Sequence, residues 1–118
     1  MRVDITFYLF IGLGLFLLLV ALITFLFPAK KPNHLYGYRT DRSMRNRANW
    51  KFAQGLLPPM FLRLALYQVG IAGLWYFIPR QSETIGMAVF LIFLVLTFAG
   101  EIFWSEKKLR RYSRSKQK

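Results

Sequence analysis

Residues 5–27 read ITFYLFIGLGLFLLLVALITFLF, 23 positions without a single charged side chain. A helix rises about 1.5 Å per residue and the hydrocarbon of a bilayer is about 30 Å thick, so roughly 20 apolar residues cross it. This stretch is long enough to cross with some tilt. A cleavable leader carries an apolar region of roughly 7–15 residues that ends at small side chains. Here the run is longer and continues into Phe27-Pro28-Ala29-Lys30-Lys31, which reads as a retained span followed by a basic anchor. Two more blocks have the same character. Residues 60–78 (MFLRLALYQVGIAGLWYFI) are preceded by Pro58-Pro59 and closed by Pro79; proline fits the first turn of a helix and cannot continue one. Residues 85–104 (IGMAVFLIFLVLTFAGEIFW) lack the polar face a soluble helix needs. The runs are continuous rather than alternating, and each is about twice as long as a barrel strand, so all three are helices.

The fold expected is therefore an all-α membrane protein of one domain with three transmembrane helices, at 5–27, 60–78 and 85–104. A loop at 28–59, an outer turn at 79–84 and a basic tail at 105–118 complete it. Charge sets the expected orientation. The chain has 17 Lys and Arg against 5 Asp and Glu, a formal charge of +12. Arg2 and Arg80 fall on one side of the membrane. Lys30, Lys31, Arg39, Arg42, Arg45, Arg47 and Lys51 fall on the other, with seven more cations between positions 107 and 118. Under the positive-inside rule the N-terminus is outside and the loop and tail are cytoplasmic. The partners this implies are the lipid bilayer itself and anionic lipid at the basic loop and tail. Nucleic acid is not expected, because no recognition motif accompanies the charge. The tail ends in the low-complexity run Tyr112-Ser113-Arg114-Ser115-Lys116 and reads as disordered off the membrane.

Little here can support catalysis. With no cysteine there is no disulfide, thiolate nucleophile or cysteine metal site. The sole histidine, His34, has no metal partner in view, and the five acids are scattered over both faces. No nucleophile, base and orienting group can be assembled, so the expectation is no enzyme, no metal and no cofactor.

The loop carries more information than its charge. Pro32-Asn33-His34-Leu35-Tyr36-Gly37-Tyr38-Arg39-Thr40-Asp41-Arg42-Ser43-Met44-Arg45-Asn46, followed by Trp50, Phe52, Ala53 and Gln54, reads as a turn and then a short helix. Gly37 frees the backbone of side-chain constraint, and Asp41 or Ser43 can cap a helix over 44–55. Met44, Ala48, Phe52 and Leu56 recur every four residues, which gives a short interfacial amphipathic helix between the first and second spans, ending before Pro58-Pro59. Trp50 belongs at headgroup level. Two readings of the segment stand side by side. Arg39, Thr40 and the amides near Gly37 could cradle an anion; or Arg39 and Asn33 tie the loop to helix ends and satisfy carbonyls there.

Inside the spans, Arg63 and Glu101 each lie about one turn from the loop-side end of their helix. A short turn makes those helices antiparallel neighbours, so an Arg63–Glu101 ion pair is expected, since an unpaired charge at membrane depth costs roughly 2.5–3.5 kcal/mol. Gln68, nearer the midplane, has no partner charge and is expected to bond a backbone carbonyl or a second subunit.

The loop pattern resembles a known family. Pro32, Asn33, Gly37, Tyr38, Arg39, Thr40, Ser43, Asn46, Trp50 and Ala53 match, in type and spacing, the signature of the SdpI-like bacterial membrane proteins. Two positions depart from it: Gln54 stands where relatives often carry Asn, and Asp41 where Pro often follows Arg-Thr. The resemblance implies a multi-pass protein of the bacterial cytoplasmic membrane. The family's namesake is an immunity protein against a secreted, membrane-active peptide toxin and is implicated in holding a transcriptional repressor at the membrane. By resemblance, then, Asn33, Gly37, Tyr38, Arg39, Thr40, Ser43, Asn46 and Trp50 form a loop that binds a ligand or partner. A peptide toxin or a membrane-protein partner are the candidates. The alternative class is a structural accessory subunit of a larger membrane complex.

Overall fold

Asp4 starts the first helix by accepting the Phe7 amide hydrogen at 3.0 Å, and α1 then runs over Ile5–Leu26. The computed structural model describes residues 4–31, 36–79 and 81–117. Along α1 the buried positions are Thr6, Phe10, Gly14, Leu17, Ala21 and Thr24, spaced three or four apart, so they share one face. Leu15, Phe16, Leu18, Leu19, Leu22 and Phe25 point outward. Four of the six buried positions carry small or hydroxyl side chains (Thr6, Gly14, Ala21 and Thr24), with Phe10 and Leu17 between them, and most of the bulky apolar side chains lie outside. That is the arrangement expected in lipid, where close backbone approach rather than apolar burial drives helix pairing.

α2 spans Arg47–Phe77 and is capped by Asn46, whose Oδ1 accepts the Asn49 amide hydrogen at 2.8 Å. The separate interfacial helix expected over 44–55 is instead the first part of this single helix, and the break expected at Pro58-Pro59 does not occur. Each proline removes one helical hydrogen bond, to the carbonyl of Gln54 or Gly55, at roughly 3 kcal/mol apiece relative to alanine. Packing on both sides of the step offsets this. Trp50, Ala53, Gln54 and Leu57 before it, and Met60, Leu64 and Ala65 after it, are all buried on one continuous stripe.

α3 covers Glu83–Gln117, 35 residues. At about 1.5 Å per residue it is near 50 Å long, well beyond the hydrocarbon thickness. The tail expected to be disordered is therefore helical. Ser105, Leu109 and Ser113 are buried at four-residue intervals, so the extension has a packed face of its own.

α1 packs mainly along α2, and α3 leans on α2 more than on α1. Close approach of α1 to α2 depends on Gly14, where a Cβ would stand 2.8 Å from Val69 Cγ2 and 3.4 Å from the Ala65 carbonyl oxygen. Near the turn between α2 and α3, Phe10 gathers Phe90, Phe93 and Trp75, with ring centroids 5.2, 5.9 and 6.5 Å away. Trp75 Nε1 donates to Asp4 Oδ1 at 3.1 Å, tying the start of α1 to the end of α2. All three helices are long and apolar enough to cross a membrane, and the described residues contain no strand. The molecule measures 55 × 25 × 20 Å. One end carries the Ser82 turn; the other, the loop end, carries residues 36–46 and the α3 extension.

Candidate functional site

The loop is fastened to the two long helices by its own motif. Gly37 has φ of 110°, a conformation that favours glycine, and a side chain there would meet Gln54 Oε1. The next residue runs past Gln54 as it would past a neighbouring strand. Tyr38 N–H donates to Gln54 Oε1 at 2.9 Å, and Gln54 Nε2 donates back to the Tyr38 carbonyl at 3.0 Å. Ser43 closes the turn: its Oγ accepts the Thr40 amide hydrogen at 2.8 Å and lies 2.9 Å from the Tyr38 and Thr40 carbonyl oxygens, either of which it can donate to. Thr40 Oγ1 in return accepts the Ser43 amide hydrogen at 3.3 Å.

The first turns of α2 then collect everything around them. Trp50 Nε1 donates to the Ala29 carbonyl at 2.8 Å, just beyond α1. Asn49 Nδ2 donates to the Arg42 carbonyl at 3.0 Å and to Ser113 Oγ, on α3, at 3.2 Å. Phe52 stacks on Tyr112, centroids 4.2 Å apart and planes 3° from parallel. From the loop, the Tyr38 phenol donates to Glu106 Oε1 at 2.8 Å. Burial, with Glu106 alongside, raises its pKa well above the ordinary tyrosine value.

Of the motif residues, Gly37, Tyr38, Thr40, Ser43, Asn46 and Trp50 are thus brought together in one clamp, with Ser43 and Trp50 fully buried. Arg39 is exposed on its outer surface. Asn33 lies outside the described residues, as does His34. The amides of residues 38 and 40, which an anion cradle at this turn would need, are already bonded to Gln54 and Ser43. Ser43, Asn46, Trp50 and Gln54 satisfy backbone groups where the chain leaves α1 and enters α2, a role the second reading of the loop gave to Arg39 and Asn33.

Sequence reasoning missed Gln54, Asn49, Glu106 and Ser113 as members of the clamp. Gln54 had a signal, since it stands one turn beyond Trp50 on the same face. The spacing of Ser105, Leu109 and Ser113 was a weaker signal that the tail is packed.

At membrane depth the structure brings Arg63 and Glu101 together. Nε and Nη2 of Arg63 donate to the carboxylate at 3.0 and 2.9 Å, and Tyr67 Oη donates to the same group at 3.0 Å. The Trp104 ring lies 5.4 Å from the Arg63 guanidinium carbon. Glu101 is buried and Arg63 partly exposed. Gln68 is fully buried, and neither of its amide atoms has a hydrogen-bond partner among the described residues.

A groove runs down the outside of this end. Its upper part, about 740 Å³, lies between the end of α1 and the proline step, with Lys30, Arg47 and Lys51 on its rim and Phe25 and Pro59 on its floor. It continues along α1 into a wholly apolar stretch of about 660 Å³ between Leu18, Leu22 and Leu62.

The loop motif with Asn49 and Gln54, the proline step and the apolar part of α3 fall within residues 30–105, the part of the chain matched by the model of the SdpI/YfhL protein family, while the clamp partners Glu106 and Ser113 lie just beyond it. The chain belongs to this family. The match covers more than half of it, leaving out α1 and most of the α3 extension. No curated protein and no solved structure matches the chain. As an SdpI/YfhL protein, with three helices long enough to span, it is a multi-pass membrane protein.

Proposed function

We propose that this SdpI/YfhL protein is of the immunity or signalling type. It sits in the bacterial cytoplasmic membrane with its N-terminus outside and its loop end in the cytoplasm. There it recognises a membrane-active peptide and passes occupancy to a cytoplasmic partner through the Gly37-Tyr38-Arg39-Thr40 loop. The groove beside the clamp carries the reading. It is apolar where it faces hydrocarbon and basic where it meets the interface, so it suits an amphipathic peptide with an apolar stretch and an acidic end. The clamp holds one wall of that groove, because Gln54 lines it and is bonded to Tyr38. A peptide seated between Lys51 and Pro59 therefore presses on the element that presents Arg39 outward.

The test is a survival assay. Cells lacking the gene should become sensitive to a secreted, membrane-active peptide, and the wild-type gene should restore resistance. Arg39→Ala should restore membrane-inserted protein without restoring resistance, and so should the rim variant Lys30→Gln/Lys51→Gln. Resistance unaffected by deletion, or fully restored by both variants, rules the reading out.

The second reading, a structural accessory subunit, is supported by α3. Only 11% of its most apolar stretch is buried within the chain, which leaves a broad face for a neighbouring subunit. Stoichiometric large partners after mild detergent extraction would favour it.

A further inference from the structure

On the loop end, away from the peptide groove, four arginines converge on one small pocket. Arg42 and Arg45 come from the turn that Ser43 closes, and Arg110 and Arg114 stand one helical turn apart on the α3 extension, with the pocket of about 180 Å³ between them. The two halves are locked in register by a single side chain. Asn49 Nδ2 bonds both the Arg42 carbonyl and Ser113 Oγ, and Ser113 forms the pocket's remaining wall. Among the described residues no carboxylate comes within 4 Å of any of the four guanidiniums. Ser113, itself buried, accepts from Asn49 and has no acceptor for its own proton among those residues.

We infer that this pocket binds a phosphate group. Arginine stays charged at any physiological pH, and its planar fork of N–H donors matches the oxygens of a phosphate two at a time. Like charges one helical turn apart repel, so a rigid scaffold that holds four of them around a cavity is stabilised by an anion seated there. The Ser113 hydroxyl adds a neutral donor to the lining. Size narrows the ligand: the cavity is well below the roughly 300 Å³ lower limit of pockets for drug-sized molecules, so it takes one phosphate and leaves the rest of the ligand outside. Position leaves two sources. Arg110 and Arg114 lie six and ten residues beyond Trp104, about 9–15 Å along the helix and so just outside a headgroup layer about 5–7 Å deep, facing it from the water side. A phospholipid headgroup reaches there from the membrane, and a soluble phosphate compound from the water. The inference is independent of the peptide reading, which uses the opposite face of α2.

Two arms separate the sources, both with the full chain. In lipid-free detergent, inorganic phosphate is titrated against chloride at equal ionic strength and the melting temperature followed, since a ligand of the folded state raises it. In nanodiscs, retention of phosphatidylglycerol over phosphatidylcholine is read by native mass spectrometry. Binding in either arm should weaken about tenfold in Arg110→Gln/Arg114→Gln, which removes two charge-assisted forks. It should stay within about twofold in Lys107→Gln/Arg111→Gln, which removes equal charge outside the pocket. A response to inorganic phosphate alone assigns a soluble compound, and one to phosphatidylglycerol alone assigns a headgroup. No response in either arm, or equal loss in both double variants, overturns the inference. If the glutamine pair does not fold, Arg110→Lys/Arg114→Lys decides: it keeps the charge and loses the forks, and an unchanged response there overturns the pocket.

Discussion

The Gln54 side chain occupies both hydrogen-bonding groups of the Tyr38 backbone, so its truncation strands groups that are already out of water. Gln54→Ala leaves the Tyr38 amide with no partner, and the expected cost is about 1–3 kcal/mol, read as a lower melting temperature in detergent. Gln54→Glu keeps an acceptor for that amide but turns a second oxygen toward the Tyr38 carbonyl, so it should not restore stability. The Tyr38 phenol sets a pH limit on the same clamp. Its folded pKa is raised above the ordinary value, so the folded state holds the proton more tightly than the unfolded state. That stabilisation is complete below about pH 10 and is lost as pH rises from there toward the folded value. Unfolding followed from about pH 8 upward should show the fall, and Tyr38→Phe should make it shallower. The clamp was only half legible beforehand. Asn46, Trp50 and Ala53 fall at intervals that put them on one helix face. Nothing local, however, couples Tyr38 to Glu106, 68 positions away, or Asn49 to Ser113, 64 positions away.

Between elements, two contacts decide how the helices sit, and each predicts a contrast. Gly14→Ala puts a methyl against Val69, a β-branched side chain with little freedom to move, and against backbone behind it. It should cost about 1–3 kcal/mol through overpacking, whereas Gly12→Ala, with nothing within 4 Å, should be within about 0.5 kcal/mol of wild type. Equal effects at the two positions would mean that α1 does not depend on close approach to α2. The Arg63–Glu101 pair joins α2 to α3. Arg63→Gln and Glu101→Gln should each reduce the folded fraction, and the double variant should lose less than the sum, with a coupling of about 0.5–3 kcal/mol. Strict additivity would show the two groups acting separately. The three spans could be read from hydropathy because burying backbone in hydrocarbon leaves a helix as the only open-chain solution. The limits of α2 and α3 could not. Pro58-Pro59 ends a helix in isolation, and only tertiary packing on both sides carries α2 through it. A basic, low-complexity tail lacks the apolar content to fold alone, and α3 extends through it because Leu109, Tyr112 and Ser113 find partners on α2 and the loop.

For the molecule as a whole, orientation is the property on which the peptide reading and the soluble source of the phosphate depend. By sequence, the segments 28–59 and 105–118 hold fourteen of the seventeen cations, while Arg2 and Arg80 flank the opposite ends of the apolar runs. Translocating either basic stretch would carry seven positive charges against the membrane potential, at roughly 2.3 kcal/mol per charge per 100 mV. The predicted state has the loop end retained in the cytoplasm. The absence of cysteine makes this directly measurable, because the wild-type chain is its own unlabelled background. Ser82, in the turn between α2 and α3, and Ser115, on the α3 extension, are both exposed. In intact spheroplasts a membrane-impermeant maleimide should label Ser82→Cys and spare Ser115→Cys; after lysis it should label both. Labelling of Ser115→Cys before lysis, with Ser82→Cys protected, would invert the protein. The four-arginine pocket and the basic rim of the groove would then face the outside, where neither a cytoplasmic partner nor a cytoplasmic phosphate could reach them.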